Sequence, residues 1–167
     1  MLMSAARQPS RPTDREQLTE ALGHAMQQYQ RSVQAFDDTV GRRLGLGPTD
    51  LRCLDWLVDG PKSAGQLSTA TGLRPAATTA LIDRLVKRGL VRRTRSDRDR
   101  RTVLVEITEL GQAQTWEAYG PLVRAGQPML DELSTEQLAF MADYLRRITT
   151  LTDEHRTLLA RQAPDRP

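Results

Sequence analysis

The stretch from Leu90 to Thr108, LVRRTRSDRDRRTVLVEIT, constrains this chain more than any other. Its central positions, Arg92 to Arg101, hold six arginines and two aspartates. β-Prone residues flank them: Leu90-Val91 on one side, Val103-Leu104-Val105-Glu106-Ile107 on the other. Two strands joined by an arginine-rich tip make a charged finger. Just upstream, an amphipathic segment ends at Gly89. A helix followed by a basic β-hairpin suits duplex DNA, because the helix fits the major groove and the hairpin reaches an adjacent minor groove.

The charge distribution points the same way. The whole chain is only +3. From Arg74 to Arg101, ten basic residues face three acidic ones, a local net charge of +7, and the rest of the chain carries −4. A segregated basic block on a mildly acidic body is the electrostatic footprint of a phosphate binder. The plainer reading of a charge run is a solvated loop, and the helix before it weighs against that. Of the 24 basic residues, 22 are arginine, whose planar fork is the better phosphate and base ligand.

At 167 residues the chain has room for one domain with a proper core, or a small domain plus an oligomerisation element. The absence of a long apolar run or a signal-peptide pattern predicts a cytoplasmic protein off the membrane. The single cysteine, Cys53, excludes an intrachain disulfide and a cysteine-clustered zinc site. The sequence holds no Ser-His-Asp arrangement, phosphate loop or metal-ligand cluster, so neither an enzyme nor a cofactor is expected.

Residues 1–12 are polar and contain proline, and are expected to be a disordered arm. A helix is predicted from Asp14, with Leu18, Leu22, Ala25, Met26, Tyr29, Val33 and Phe36 on one apolar stripe. Gly41 to Gly47 reads as a break. Pro48 then suits the first position of a second helix and Asp50 its third, with Leu51, Leu54, Leu57 and Val58 as the buried face. Asp59-Gly60-Pro61 ends it. Ser63 and Gln66 have capping-box spacing at the start of a short helix. After the Thr71-Gly72-Leu73 turn, Pro75 opens another, in which Leu81, Ile82, Leu85 and Val86 face inward and Gly89 supplies the left-handed stop. Two short helices, a glycine turn and a hairpin spell a winged helix-turn-helix.

Thr108-Glu109 caps a further helix towards Tyr119, which Gly120-Pro121 and Gly126-Gln127-Pro128 should interrupt or kink. Ser134 and Gln137 cap the last helix, whose Leu138, Met141, Leu145, Ile148, Leu151, His155 and Leu158 form a heptad-like stripe. The first and last helices lie outside the DNA module. Each has an apolar stripe with nothing else to cover it, so the two are expected to pack together and to form a homodimer. The fold class is therefore mainly α: a winged helix-turn-helix with N- and C-terminal dimerisation helices and a two-stranded β-wing. The expected divisions are the dimerisation region at 13–46, the DNA-binding domain at 47–110, the C-terminal dimerisation helices at 111–161 and a flexible tail at 162–167.

The run from Pro48 through Gly111 resembles the MarR family of bacterial winged-helix regulators. LGPTDLRCLDWL, SAGQLSTATGL and ALIDRLVKRGLVRRTRSDRDRRTVLVEITELG carry the likeness. The most specific parts are RLVKRGLV, the Asp99-Arg100-Arg101 tip and the ITELG junction. The resemblance implies a triangular homodimer that represses genes and is released by small ligands or oxidation. The chain departs from the family at Gly47, where a Thr or Ser cap is frequent, and in its short Ala76, Ala77, Thr79 and Ala80. It also lacks the first-helix cysteine of the thiol-sensing branch, since residues 14–44 contain none.

The N-terminal turn of the helix from Pro75 should enter the major groove, making Arg74, Pro75, Ala76, Thr79 and Ala80 the base-side candidates. Only Arg74 has the reach for a bidentate contact to guanine; the alanines and the Thr79 methyl suit thymine methyls. Direct readout is thus modest, with phosphate and shape contacts carrying more. Thr78 is assigned to helix packing. Arg84, Arg92, Arg93, Arg95, Arg98 and Arg100 complete the basic set. Arg101 is the choice for the minor groove, braced by Asp99. The expected partner is a pseudo-palindromic operator. In the resembled family, effectors bind between the dimerisation helices and the DNA lobe. The matching walls here are Met26, Tyr29 and Val33 with Trp56, which suit an aromatic or phenolic effector. The same residues equally suit plain core. His24 and His155 read as surface residues, and Cys53 as a buried thiol. The competing functional reading is a winged helix used for protein interaction without DNA binding, which the +7 segment disfavours.

Overall fold

The computed structural model describes residues 13–95 and 101–162. The element order is α1 (Asp14–Leu44), α2 (Pro48–Val58), β1 (Lys62–Ser63), α3 (Ala64–Thr71), α4 (Pro75–Lys87), β2 (Val91–Arg95), β3 (Val103–Ile107), α5 (Glu109–Asp131) and α6 (Thr135–Gln162). The chain divides into two compact units, with the boundary after Ala118, inside α5.

The first unit holds the winged helix-turn-helix, together with α1 and the start of α5. Ser63 Oγ accepts from the Gln66 N–H and Gln66 Oε1 from the Ser63 N–H, so α3 starts on the expected capping box. Gly72 turns the chain at φ 73° between α3 and α4, and Gly89 stops α4 at φ 72°. β2 and β3 pair antiparallel from Val91↔Ile107 to Arg95↔Val103. β1 adds to the other edge of β3, giving the sheet order β1-β3-β2. The two-stranded wing is therefore part of a three-stranded sheet. Two residues are too few to show strand alternation in sequence, which is why β1 escaped the reading.

The core of this unit is closed. Cys53, Leu54 and Leu57 from α2, Leu67 from α3, Leu81, Ile82 and Leu85 from α4, and Leu90, Val91, Val105 and Ile107 from the hairpin form one buried cluster with Leu46. Val58, expected in it, is 63% exposed. The inward stripe of α2 runs through Cys53, Leu54 and Leu57, and one residue later the helix has turned by about 100°. The ITELG junction is held by contact as well as by capping. Thr108 Oγ1 donates to the Gly89 carbonyl at 2.6 Å and accepts from the Gly111 N–H at 3.0 Å. A Cβ on Gly111 would lie 2.3 Å from the Leu90 carbonyl oxygen, so only glycine fits.

The expected break at Gly41 is corrected: α1 continues to Leu44 and turns at Gly45. Gly41 serves packing instead. Its carbonyl accepts from the Leu46 N–H at 2.8 Å, and a Cβ there would meet the Leu46 carbonyl at 2.7 Å. Of the residues of α1, Val40 and Gly41 are buried, while Leu18, Leu22, Tyr29 and Val33 are exposed.

In the second unit, α5 continues past Pro121 and Pro128, so of the expected interruption or kink the interruption does not occur. Both prolines are exposed, so the carbonyls they leave without an N–H partner can be hydrated. Ser134 and Gln137 form the expected capping box of α6. None of the described residues of α6 is buried. Phe140 and Tyr144 stack along it, with ring centroids 6.1 Å apart. The helix reaches Gln162, the residue at which the tail was expected to begin. The N-terminal arm and residues 163–167 lie outside the described residues. No helix among the described residues is long and apolar enough to cross a membrane.

Candidate nucleic-acid interface

Helix α4 carries an inward and an outward face with little overlap. Leu81, Ile82 and Leu85 are buried, and so is Thr78, whose hydroxyl donates to the Arg74 carbonyl at 3.1 Å. Thr78 thus packs, as expected. Arg74, Pro75, Ala76, Thr79 and Ala80 are all exposed on the first turns. Thr79 Oγ1 donates back to the Pro75 carbonyl at 3.1 Å, which uses its hydroxyl proton and leaves it an acceptor oxygen and a methyl group. The turn therefore offers one long cationic side chain, Arg74, beside a small, largely apolar surface.

Three side chains tie the rest of α4 and its C-cap to their surroundings. Arg84 Nη2 pairs with Asp50 Oδ1 at 2.5 Å. Arg88 donates to the Leu44 and Gly45 carbonyls at 2.6 and 2.5 Å, the C-terminal end of α1, where a cation is favoured. Asp83 accepts from Arg93 Nη2 at 2.7 Å, joining the helix to the wing. Arg92 takes Glu106, its direct partner across the ladder, at 2.5 Å. The two neighbouring arginines leave opposite faces of β2, as strand alternation requires. Arg95, on the same face as Arg93, is exposed next to the tip. Arg101 is exposed where the chain returns towards β3. Arg98, Asp99 and Arg100, and with them the proposed brace on Arg101, lie outside the described residues.

The candidate effector walls fall on α1 and α2. Met26 is half-buried, Tyr29 and Val33 are exposed, and Trp56 is 45% exposed. Cys53 is fully buried. Burial, and then the Asp50 carboxylate, push its thiol up to about 11. That is the reverse of what a redox-active thiolate needs.

A family model described as MarR family matches residues 44–102, which span the helix-turn-helix and the first half of the wing. YcgE of Bacillus subtilis, named as an uncharacterised HTH-type transcriptional regulator, is 32% identical over 120 residues, covering 71% of this chain and 78% of the relative. The chain belongs to the MarR family. Among solved structures, it is similar to a MarR family transcriptional regulator from Silicibacter pomeroyi, with TM-score 0.62, 23% identity and coverage of 87% and 99% of the two chains. The transcriptional regulator BldR from Sulfolobus solfataricus gives TM-score 0.53 and 28% identity, with coverage of 81% and 99%. This MarR-family chain is thus a regulator built on a winged helix, not an enzyme.

Two features of this MarR-family site were missed in the sequence. One is the buried Asp50, whose Oδ2 accepts from the Gly47 N–H at 2.9 Å. A signal existed: glycine at the N-cap has no side chain to cap the helix, so a carboxylate three residues on can only reach back to the cap backbone. The other is Arg88 on the end of α1. It joins residues more than forty positions apart, and no local pattern announces it.

Proposed function

We propose that the protein is a cytoplasmic homodimeric repressor that binds a pseudo-palindromic operator and leaves it when a small apolar or aromatic effector binds. The observation that carries the DNA-binding part is the outward first turn of α4, on a helix whose Asp83 is ion-paired to the arginine hairpin. In this reading Arg74, Pro75, Ala76, Thr79 and Ala80 lie in the major groove and the wing arginines follow the phosphates, Arg101 entering the minor groove. The homodimer is supported by the apolar side chains that α1 and α6 leave exposed. Two recognition helices about one helical turn of DNA apart, or a multiple of it, then read two half-sites. Met26, Tyr29, Val33 and Trp56 are the effector walls of this reading. A ligand releases DNA only by preferring the dimer geometry with the wrong half-site spacing.

The test is a promoter footprint combined with a salt titration of duplex binding. A palindromic footprint and a steep loss of affinity with salt are expected. A flat salt response would leave a protein-interaction module in its place. For the effector, phenols and aromatic acids are titrated into the complex of the footprinted duplex with wild type or Trp56→Ala. Release by the same concentrations in both proteins removes Trp56 from the pocket, and no release by any compound removes the effector.

A further inference from the structure

The base-side turn of α4 is built from unusually short side chains. Ala76, Thr79 and Ala80 end within two atoms of the backbone, so they touch a base only where the helix itself comes close. A long side chain can adjust its rotamers to a tilted helix; an alanine cannot. Discrimination by such a helix depends on its pose, and whatever fixes the pose becomes part of the recognition device.

Arg84 stands one turn beyond Ala80 on the same helix, among exposed residues, where a phosphate contact is the obvious role. Its guanidinium is instead bonded to Asp50, 34 residues earlier on α2. Asp50 is only 5% exposed, and both of its oxygens are committed, Oδ1 to Arg84 and Oδ2 to the Gly47 N–H. It lies in the first turn of α2, where the helix dipole favours a carboxylate and fixes its place. Arg84 therefore reaches from the recognition helix to an anchored, nearly buried charge. Breaking such a pair leaves the buried partner uncompensated, which makes its geometry exacting.

We propose that Asp50 and Arg84 form a positioning pair that sets sequence discrimination by holding the pose of α4, and that Arg84 is not a phosphate contact. The proposal rests on the DNA-binding reading above. The two roles for Arg84 differ in sign at Asp50. If Arg84 served phosphate, Asp50→Asn would release it and remove a negative charge, so DNA would bind more tightly. If the pair positions α4, Asp50→Asn weakens binding to the preferred sequence.

The experiment uses the full chain, a duplex selected from a random pool by wild type, and an unrelated duplex of equal length, over a range of salt concentrations. Asp50→Asn and Arg84→Gln are each expected to loosen the selected duplex about tenfold, as suits a coupled pair of this kind. Binding to the unrelated duplex should change by less than about threefold, and the salt slope should stay at its wild-type value. The double variant should match the single variants rather than multiply them. Tighter binding by Asp50→Asn, or a salt slope lowered by about one in Arg84→Gln, overturns the proposal. Arg84 is half-exposed, so Arg84→Gln keeps the test decisive should Asp50→Asn fail to fold. A wild-type protein that selects no duplex overturns the DNA-binding reading and the proposal together. A wild type that selects one, with a lowered slope in Arg84→Gln, overturns the proposal alone.

Discussion

The winged helix-turn-helix and the helix α6 spend similar sequence resources on opposite ends. In the first, Leu54, Leu57, Leu67, Leu81, Ile82 and Leu85 come from three short helices and meet in one closed core. In the second, Leu138, Met141, Leu145, Leu151 and Leu158 lie along one long helix, and every one of them is exposed. Both sets have helical periodicity. The difference teaches that periodicity identifies a face to be covered but not what covers it. Short helices that turn back within a few residues cover one another. A helix of 28 residues with no buried residue leaves its whole apolar stripe uncovered by the described residues of its own chain.

The sharpest way to break this comparison is to damage each region in turn. Leu85→Ala, at a fully buried site, should cost about 2–5 kcal/mol of stability whatever the protein concentration. Leu145→Asp on α6 should act differently. If α6 is the seam of the proposed homodimer, a carboxylate there is costly, so dimers should dissociate and operator binding should fall about a hundredfold as two linked half-site contacts become one. The closed core of the first unit should stay folded. Thermal melts at several concentrations, with light scattering, check both. A Leu145→Asp protein that remains dimeric at micromolar concentration would mean that α6 is not the seam.

A smaller effect separates affinity from stability inside the first unit. Arg101→Ala should weaken operator binding by about 1–3 kcal/mol, the scale of one good groove contact. Its melting temperature should hardly move, because Arg101 is exposed and outside the core. Equal binding by wild type and variant would remove Arg101 from the wing contacts.

What could be read in the sequence follows the same division between local and distant causes. Val103–Ile107 is a strand because five β-prone residues follow one another, and Gly89 stops α4 because only a left-handed residue turns there. Ser63 and Gln66 announce a helix start by spacing alone. Thr78 could be told from Thr79 because helix geometry places it on the Leu81-Ile82-Leu85 side. The failures have several causes, and only some of them lie far along the chain. Gly41 reads as a breaker until the Leu46 carbonyl is seen against it. Pro121 and Pro128 read as interruptions or kinks, and the helix continues through both where they face solvent. Arg84 reads as a free cation until Asp50 is placed beside it. The charge of Arg84 has a long-range meaning, across 34 residues, that its own neighbours do not reveal.

The smallest expected effect tests how dry the closed core is. Cys53 holds its proton up to about pH 11 in the folded chain, through burial first and the Asp50 charge second. The unfolded chain releases that proton from about pH 8.5. Between those values unfolding is coupled to loss of a proton, so stability falls as pH rises. Below pH 8.5 the thiol is protonated in both states and contributes no pH dependence. By pH 10 the loss should be about 1–2 kcal/mol relative to neutral pH. The readout is the difference between wild type and Cys53→Ala, which lacks this component. The same burial predicts that Cys53 is not a redox switch. Thiol reagents should modify it only as fast as the first unit unfolds, and oxidants should leave the operator complex intact. Parallel pH–stability curves for wild type and Cys53→Ala would show that water reaches the thiol. Oxidant-induced release of DNA that disappears in Cys53→Ser would show that the core opens in the working protein, and that the closed half of the molecule is also a responsive one.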